Sequence, residues 1–122
     1  FELGFDDDDY FGQGYTSFAG DYHVTFLNEA TLGDRLLCKS YVLAVNDKKL
    51  VLRHELMHAE ENWMSAVAEE LVLSVSLETR RVCSFPDKMY QALSSAALSP
   101  EELKDTPNRE RFVSLNIPGP TR

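Results

Sequence analysis

The chain has 122 residues, a length that supports one hydrophobic core rather than two. Hydrophobic residues make up 43% of it, but no apolar run approaches the roughly 20 residues of a membrane helix. The net charge of −8 disfavours nucleic acid as a partner, because phosphate binding needs a positive surface. We therefore expect a soluble single domain that binds neither membranes nor nucleic acid.

The amino-terminal residues predict the end of a helix followed by an acidic turn. Residues 1–5 are typical of the last turn of an amphipathic helix, with Gly4 as its C-cap. We expect more of that helix to precede Phe1. Four consecutive aspartates follow at residues 6–9, and because their spacing fits no EF-hand loop, a solvated turn is favoured over a calcium site.

Four β-strands are predicted in succession, each separated from the next by turn residues. In the first strand, Tyr22, Val24 and Phe26 recur with the period of two that marks a half-buried strand. The predicted strands span residues 16–30, 35–45, 50–59 and 63–78. Short turns between successive strands indicate an antiparallel sheet.

The residues after the fourth strand predict helices. Pro86 and Asp87 can start a helix that continues to Leu98. Residues 99–102 are a good cap for another short helix, and the final segment, rich in proline and charge, is predicted to be extended. Together these elements predict an α+β fold, a curved antiparallel sheet with helices to one side.

One short motif suggests zinc chemistry. Residues 54–58 match H-E-x-x-H, in which two histidines one helical turn apart bind zinc and the glutamate activates water. The motif needs a helix, whereas a strand would hold His54 and His58 roughly 13 Å apart. A helix over residues 50–68 would gather apolar residues on one stripe, so a zinc-dependent hydrolase using His54, Glu55 and His58 stays open as an alternative. We favour the strand and expect no metal.

The two cysteines, Cys38 and Cys83, form neither a C-x-x-C motif nor a dense disulfide framework. Small secreted domains rely on such frameworks, whereas cytosolic thiols stay reduced. We therefore expect reduced thiols and a cytoplasmic protein.

Several segments, taken together, resemble a known family. They are residues 22–29 with Gly33 and Asp34, residues 49–59, residues 66–70, and residues 79–81 leading to Phe85 and Pro86. The combination resembles the hotdog-fold thioesterase-like proteins, which include 4-hydroxybenzoyl-CoA thioesterase. It is similar in particular to those associated with L-carnitine dehydrogenase, some of which look like betainyl-CoA thioesterases. The resemblance assigns residues 1–86 to the hotdog domain and residues 87–122 to a helical and extended tail.

The resemblance implies a long central helix wrapped by the antiparallel sheet. Two subunits would join their sheets in a homodimer or a dimer of dimers and bind an acyl-CoA thioester at the interface, without a cofactor. The first strand, most of the helix and the motif with the family's catalytic residues would lie upstream of Phe1. Ser74 and Ser76 stand where close relatives often carry histidine and aspartate. The catalytic residues of this chain therefore stay unknown.

Thioester hydrolysis needs a group that attacks the thioester or activates water, and donors aimed at the developing oxyanion. The catalytic candidates within the chain are Glu69, His54 and Glu55. For Glu69, a surface salt bridge to Arg53 or Arg35 is the favoured alternative. For His54, the favoured alternative is a side chain that fills a polar pocket in the sheet.

Substrate contacts are expected from two groups of residues. Ser17 and Tyr22 lie on the strand that the resemblance places near the subunit boundary. An acidic protein that binds coenzyme A also needs local positive charge for the nucleotide phosphates. The candidate cations are Arg53, Arg80 and Arg81, with Lys48 and Lys49 in a predicted turn.

The expected function is hydrolysis of a small or medium acyl-CoA thioester, with a betainyl-CoA-like substrate as the narrower expectation. A second hypothesis is a non-catalytic hotdog subunit that binds a ligand or dimerises, since the resemblance places the catalytic motif outside this chain. An assay with a panel of acyl-CoAs separates the two hypotheses.

Overall fold

The computed structural model describes residues 10–104 and residue 106 of the chain. The predicted helix end at residues 1–5, the acidic run at residues 6–9 and the extended segment near the carboxyl terminus lie outside the described residues. Within the described part, a 3-10 turn at Phe11–Gln13 leads into four strands and two helices.

Four antiparallel strands form a single sheet. They are β1 (Tyr15–Phe26), β2 (Leu36–Val45), β3 (Lys49–His58) and β4 (Met64–Ser76), in the order β1-β4-β3-β2. The four predicted strands and their antiparallel pairing are confirmed. β1 ends at Phe26 rather than at Ala30. The next two N–H groups both donate to the Ser65 carbonyl, at 2.9 and 3.1 Å, and this starts the turn.

The turn between β2 and β3 is held by the side chain of Asn46. Its Oδ1 accepts hydrogen bonds from the N–H groups of Lys48 and Lys49, at 3.0 and 2.7 Å. Such local bonds make asparagine a common turn residue. The turn brings the two strands into register, and a β-bulge between Val42 and Ala44 then shifts that register by one residue.

The first helix, α1 (Asp87–Ala96), packs on the sheet. It confirms the helix predicted from Pro86, and it buries Met89 and Leu93 in the same cluster as Leu50 of β3. Because α1 shares this core, the helix is held by tertiary packing rather than by its own propensity. The domain boundary expected between residues 86 and 87 stays a prediction.

The second helix, α2 (Pro100–Lys104), begins with the predicted cap. The Glu102 N–H donates to Ser99 Oγ at 3.2 Å, while the Glu102 carboxylate accepts the Ser99 N–H at 3.0 Å. That backbone bond, helped by the Ser99 side chain, holds the pKa of Glu102 below its ordinary value. Neither described helix is long and apolar enough to cross a membrane.

The two faces of the sheet have separate hydrophobic cores. We call them the Arg53 face and the His54 face, after two successive residues of β3 whose side chains point to opposite sides. The core of the Arg53 face consists of Leu43, Val51, Leu71, Leu73 and Val75. The core of the His54 face consists of Tyr10, Val42, Leu50, Phe85, Met89 and Leu93.

The end of the His54 face away from the β2–β3 turn is open to solvent. There β1 exposes Tyr22, Val24 and Phe26 by 50%, 42% and 84%, and β2 exposes Leu36 by 41%. Scattered exposed apolar side chains are ordinary, but a run of them on one face marks a binding or association surface. The candidate site lies at the edge of this open surface.

Candidate active site

Three polar side chains from neighbouring strands meet on the His54 face. Ser40 on β2 pairs across the sheet with His54 on β3, and Ser40 Oγ lies 2.8 Å from His54 Nδ1. On the other side, His54 Nε2 lies 3.3 Å from Oε1 of Glu70 on β4. A serine, a histidine and a glutamate are thus joined in one hydrogen-bonded row, which we call the Ser40–His54–Glu70 row.

The two contacts of His54 differ in which atom donates the hydrogen bond and which accepts it. In the tautomer of His54 that carries its hydrogen on Nε2, the ring donates to the Glu70 carboxylate. His54 Nδ1 is then a lone-pair acceptor, and the Ser40 hydroxyl donates to it. In this arrangement His54 can take a proton from Ser40 or from a water molecule beside it.

Small and apolar residues surround the row. On the same face, Ala68 precedes Glu70 on β4, and β1 places Val24 opposite Ala68 and Tyr22 opposite Glu70. The side chains of His54 and Glu70 keep 25% and 22% of their exposure. In the described part of the chain, His54 and Glu70 are therefore partly exposed to solvent.

The other catalytic candidates, Glu69 and Glu55, lie on the Arg53 face around a buried guanidinium. Arg53 is 0% exposed and Glu69 is 2% exposed. Arg53 Nε lies 2.9 Å from Glu55 Oε2, and Arg53 Nη1 lies 3.9 Å from Glu69 Oε2. For Glu69 the structure therefore has the salt bridge to Arg53. Removing one partner of a buried pair leaves an uncompensated charge, so these residues hold one another on the face opposite His54.

Ser17, Arg80 and Arg81 lie at the end of the sheet where β4 finishes. Ser17 is exposed near the start of β1, and both arginines are exposed in the turn after β4. The Arg80 guanidinium lies 5.4 Å from the ring centre of Phe18. The rise of a strand puts the end of β4 roughly 20 Å from Glu70, so these cations do not reach the Ser40–His54–Glu70 row.

The two histidines of the H-E-x-x-H motif have separate surroundings. β3 is a strand through His58, so the helical alternative with its zinc geometry is wrong. His58 Nδ1 accepts the N–H groups of Glu60 and Glu61, at 3.3 and 3.0 Å. Its Nε2 lies 3.6 Å from Asp34 Oδ1. In the part of the chain that the structure describes, no group of three or more histidine, cysteine, aspartate or glutamate side chains is placed to hold a metal ion.

Asp34 closes the turn that precedes β2. Its carboxylate accepts the Thr31 N–H at 2.8 Å and the Thr31 hydroxyl at 3.2 Å. The backbone bond from Thr31, with the Thr31 hydroxyl and the nearby His58 imidazole, holds the pKa of Asp34 below its ordinary value. His58 and Asp34 therefore connect this turn to the end of β3.

The sequence-based candidates included His54 but neither Ser40 nor Glu70, which the structure places beside it. The alternation of β3 correctly indicated the face of His54, whereas the partner of Ser40 depends on the β-bulge in β2. Without that bulge, the pairing from the hairpin turn would place residue 40 opposite Glu55. The Asn46 turn is a sequence signal for the hairpin, but we recognise no signal for the bulge.

The sequence profile of the thioesterase-like superfamily matches residues 1–93. The chain belongs to this superfamily. A relative, the L-carnitine dehydrogenase/betainyl-CoA thioesterase of Ruegeria pomeroyi, is 32% identical over 91 residues, which cover 75% of this chain and 18% of that protein. The resemblance inferred from the sequence is confirmed, and the superfamily member described here spans less than a fifth of that relative's length.

Solved structures share the fold of this chain. A Staphylococcus aureus protein solved in complex with CoA is 26% identical with a TM-score of 0.64, covering 75% of this chain and 61% of that chain. The DHNA-CoA thioesterase from Staphylococcus aureus has a TM-score of 0.70 at 18% identity, covering 76% and 64%. The predicted hotdog fold is therefore confirmed for this member of the superfamily.

Proposed function

We propose that the protein acts as an acyl-CoA thioesterase on a small or medium acyl group. The observation that carries the proposal is the solvent-accessible Ser40–His54–Glu70 row on a sheet of the thioesterase-like superfamily. A histidine whose lone pair is directed by a carboxylate is a suitable general base. Hydrolysis of a thioester needs such a base beside an accessible carbonyl group.

We place the acyl group beside Tyr22 and Glu70. A betainyl group ends in a quaternary ammonium, which is attracted both by a carboxylate and by the face of an aromatic ring. Tyr22 and Glu70 are cross-strand partners, and Tyr22 is half exposed. The net charge of −8 also favours a cationic acyl group over an anionic one. These features support a betainyl-like substrate.

We assign the nucleotide end of coenzyme A to Arg80 and Arg81. Both arginines are exposed, and arginine recognises phosphate through paired hydrogen bonds. They lie roughly 20 Å along β4 from Glu70, and the pantetheine arm separates the thioester from the phosphates of coenzyme A. The Arg80 guanidinium lies over Phe18, which packs against the core of the Arg53 face, so a coenzyme A bound to the row on the His54 face would pass around the end of the sheet to reach it.

We further propose a homodimer, or a dimer of dimers, that forms through β1. This strand is at one end of the sheet order among the described residues, so alternate backbone groups along Tyr15–Phe26 face outward. Tyr22, Val24 and Phe26 are exposed on the same strand. A long exposed edge with apolar side chains promotes strand pairing, and a second copy offers an edge of matching length.

The thiols support a reducing compartment. Cys38 is exposed and Cys83 is partly exposed, and both are free. Exposed free cysteines persist where glutathione and thioredoxin keep thiols reduced. We therefore place the protein in the cytoplasm.

Hydrolysis of a panel of acyl-CoAs by the purified protein, with chromatographic detection of free CoA, tests the function. We expect betainyl-CoA to react faster than 3,3-dimethylbutanoyl-CoA, a neutral isostere with carbon in place of nitrogen. Tyr22→Leu should narrow that preference about fivefold, because it removes a cation–π contact of roughly 1 kcal/mol.

The matched control is Tyr90→Leu, which removes an exposed tyrosine from α1. It should leave the preference unchanged. Equal rates for the two substrates would contradict the cationic acyl group. Binding of CoA without hydrolysis of any acyl-CoA would contradict the enzyme and support the non-catalytic binding subunit.

A further inference from the structure

We propose that a second copy of the chain completes the acyl site, because Phe26 of the partner subunit packs on the Tyr22 ring and holds its other face toward Glu70. This inference rests on the proposed homodimer through β1 and on the proposed cationic acyl group. It adds a register to the first and a residue to the second. Tyr22 and Glu70 contact the acyl group, whereas Phe26 is a positioning residue that acts through Tyr22.

The backbone of β1 shows which residues can pair with a second copy. The Leu27 N–H donates to the Ser65 carbonyl at 2.9 Å, so residue 27 is directed at β4. Backbone groups alternate in direction along a strand, and the pairing with β4 is regular from Asp21 to Phe26. The residues that direct their N–H and carbonyl groups at the outer edge of this stretch are therefore Tyr22, Val24 and Phe26.

The same three residues carry the exposed apolar side chains of β1. All of them lie on the His54 face, because side chains alternate along a strand. Phe26 is the most open of the three, at 84% exposure. A large ring that is open to this degree, beside two further exposed apolar side chains, marks a surface that another chain covers. An antiparallel pair of β1 strands would place two copies of this apolar run side by side on one face.

The register follows from matching these side chains. Two identical strands pair about a two-fold axis, and only residues that both point outward exchange backbone hydrogen bonds. An axis at Val24 makes Val24 its own partner and places Tyr22 opposite Phe26 of the partner subunit. Every outward residue is then opposite an apolar side chain, and aromatic and β-branched pairs of this kind stabilise a sheet.

Neighbouring registers lose one of these pairs. An axis at Tyr22 or His23 would place an apolar side chain opposite Gly20, which adjoins the β-bulge and has no side chain to pack. An axis at Thr25 would place Asn28 opposite Tyr22. Asn28 lies beyond the end of β1, and its side-chain amide already donates to the Met64 carbonyl at 2.8 Å. The valine axis alone uses the whole regular stretch between the bulge and the end of the strand.

Pairing replaces one local hydrogen bond of the edge. In the single chain, the outward N–H of Tyr22 donates to Asp21 Oδ1 at 2.8 Å, in a position exposed to solvent. In the dimer, the same N–H donates to the carbonyl of Phe26 of the partner subunit, and the Asp21 carboxylate is hydrated instead. Because one exposed bond is exchanged for another, the net change is small. Burial of the apolar side chains then favours the dimer.

In this register three side chains form a row across the two copies. Tyr22 stands between Glu70 on β4 and Phe26 of the partner subunit. Tyr22 and Glu70 share no backbone bonds, since Tyr22 points outward, and side chains approach most closely in such pairs. Strand side chains stand roughly perpendicular to the sheet, so one face of the tyrosine ring meets the phenylalanine and the other is turned to the carboxylate. A quaternary ammonium between this face and Glu70 is attracted by both.

Cysteine cross-linking measures the register. An axis at Val24 places His23 opposite Thr25 of the partner subunit, with Cα atoms roughly 4.5 Å apart, a separation that suits a disulfide. Under mild oxidation, coexpressed His23→Cys and Thr25→Cys chains should form a covalent dimer with each other, and neither variant should do so alone. Wild type, with its two native thiols, is the control. A cross-link of either variant with itself, or none between the two, overturns the proposal.

The preference for betainyl-CoA over 3,3-dimethylbutanoyl-CoA measures the role of Phe26, at a concentration where sedimentation shows dimers. Phe26→Leu should narrow this preference about threefold, since it removes an aromatic pair, and should leave hydrolysis of the neutral substrate near the wild-type rate. Phe26→Tyr keeps the ring and should keep the preference. The matched control is Leu32→Ala, which removes an exposed apolar side chain outside β1. An unchanged preference in Phe26→Leu overturns the positioning role.

Mixed dimers test whether Phe26 acts across the interface. When Tyr22→Leu and Phe26→Leu chains are coexpressed with different tags, each purified mixed dimer has one site with both substitutions and one intact site. Its preference for betainyl-CoA should therefore exceed that of either parent. If Phe26 acted within its own chain, every site would carry one substitution, and mixing would restore nothing.

These measurements separate the inference from the proposed function. If the protein hydrolyses betainyl-CoA preferentially and Phe26→Leu does not change that preference, the proposed function stands and the inference is wrong. If the protein hydrolyses no acyl-CoA but the coexpressed cysteine variants cross-link with each other, the proposed function is wrong and the register stands.

Discussion

The two faces of the sheet place their charged residues in opposite surroundings. On the Arg53 face, Arg53 and Glu69 are buried, and Arg53 forms ion pairs with both Glu69 and Glu55. On the His54 face, His54 and Glu70 keep about a quarter of their exposure. Buried charges need partners to offset lost hydration, whereas a partly exposed histidine can still exchange protons with a ligand. Burial, rather than residue type, thus distinguishes the structural carboxylates from the one beside the candidate base.

The contrast between the two faces would be wrong if replacing Arg53 hardly changed the free energy of unfolding. Arg53→Leu leaves two carboxylates in the interior without their cation, so we expect the free energy of unfolding to fall by about 3–5 kcal/mol. Urea-induced unfolding measures this change. The control is Arg35→Leu, which breaks an exposed 3.7 Å pair with Glu60 and should cost less than about 1 kcal/mol. Equal losses in the two variants would show that the Arg53 group does not stabilise the fold.

The contrast between the two faces is supported if replacing His54 changes the free energy of unfolding only slightly. His54→Gln removes hydrogen bonds that are partly exposed, so we expect a loss of only about 1 kcal/mol in the free energy of unfolding. The same urea series measures it, with His23→Gln, an exposed histidine of β1, as the control. A loss as large as that of Arg53→Leu would mean that the row on the His54 face is structural after all.

The smallest expected effect is a pH dependence of stability that comes from Asp34, the carboxylate beside His58 on the His54 face. Hydrogen bonds from Thr31 and the nearby His58 lower the pKa of Asp34 from its ordinary value of 3.8. Their stabilising effect is therefore present above that value and is lost as the pH falls through the lower folded value. The difference in unfolding temperature between wild type and Asp34→Asn should shrink in acid.

Thermal unfolding from about pH 7 to about pH 3 measures this difference. Asp47→Asn, which leaves the contacts of Asp34 in place, is the control for losing one surface carboxylate. A difference that stays constant over the whole range would contradict the assigned role of Asp34. His58 would then be held by Trp63, whose ring centre lies 4.8 Å away, rather than by the carboxylate.

Much of the fold could be predicted because its signals are local. The alternation of Tyr22, Val24 and Phe26 indicated a strand, and β1 is one. Ser99 and Glu102 predicted a helix cap, and their reciprocal bonds are present. The strand geometry of β3 also correctly separated the two histidines of the H-E-x-x-H motif.

The candidate site could be predicted only in part. His54 was a candidate from its residue type. For Glu69 the favoured alternative was a surface salt bridge to Arg53 or Arg35, whereas the structure pairs Glu69 with Arg53 in the interior. Glu70, one residue further along β4, was not considered, because alternation alone does not tell which of two adjacent carboxylates meets the histidine. Ser40 was missed since its partner follows from the bulge in β2.

The sequence by itself determined which residues form strands and helices and which side chains share a face, since a strand alternates every two residues and a cap acts within one turn. Only the tertiary structure decided that Ser40, His54 and Glu70 meet, and that Arg53 is buried with its carboxylates. Contacts between strands depend on register, which one extra residue in β2 shifts. Burial depends on packing by residues far away in the chain, and no short segment specifies it.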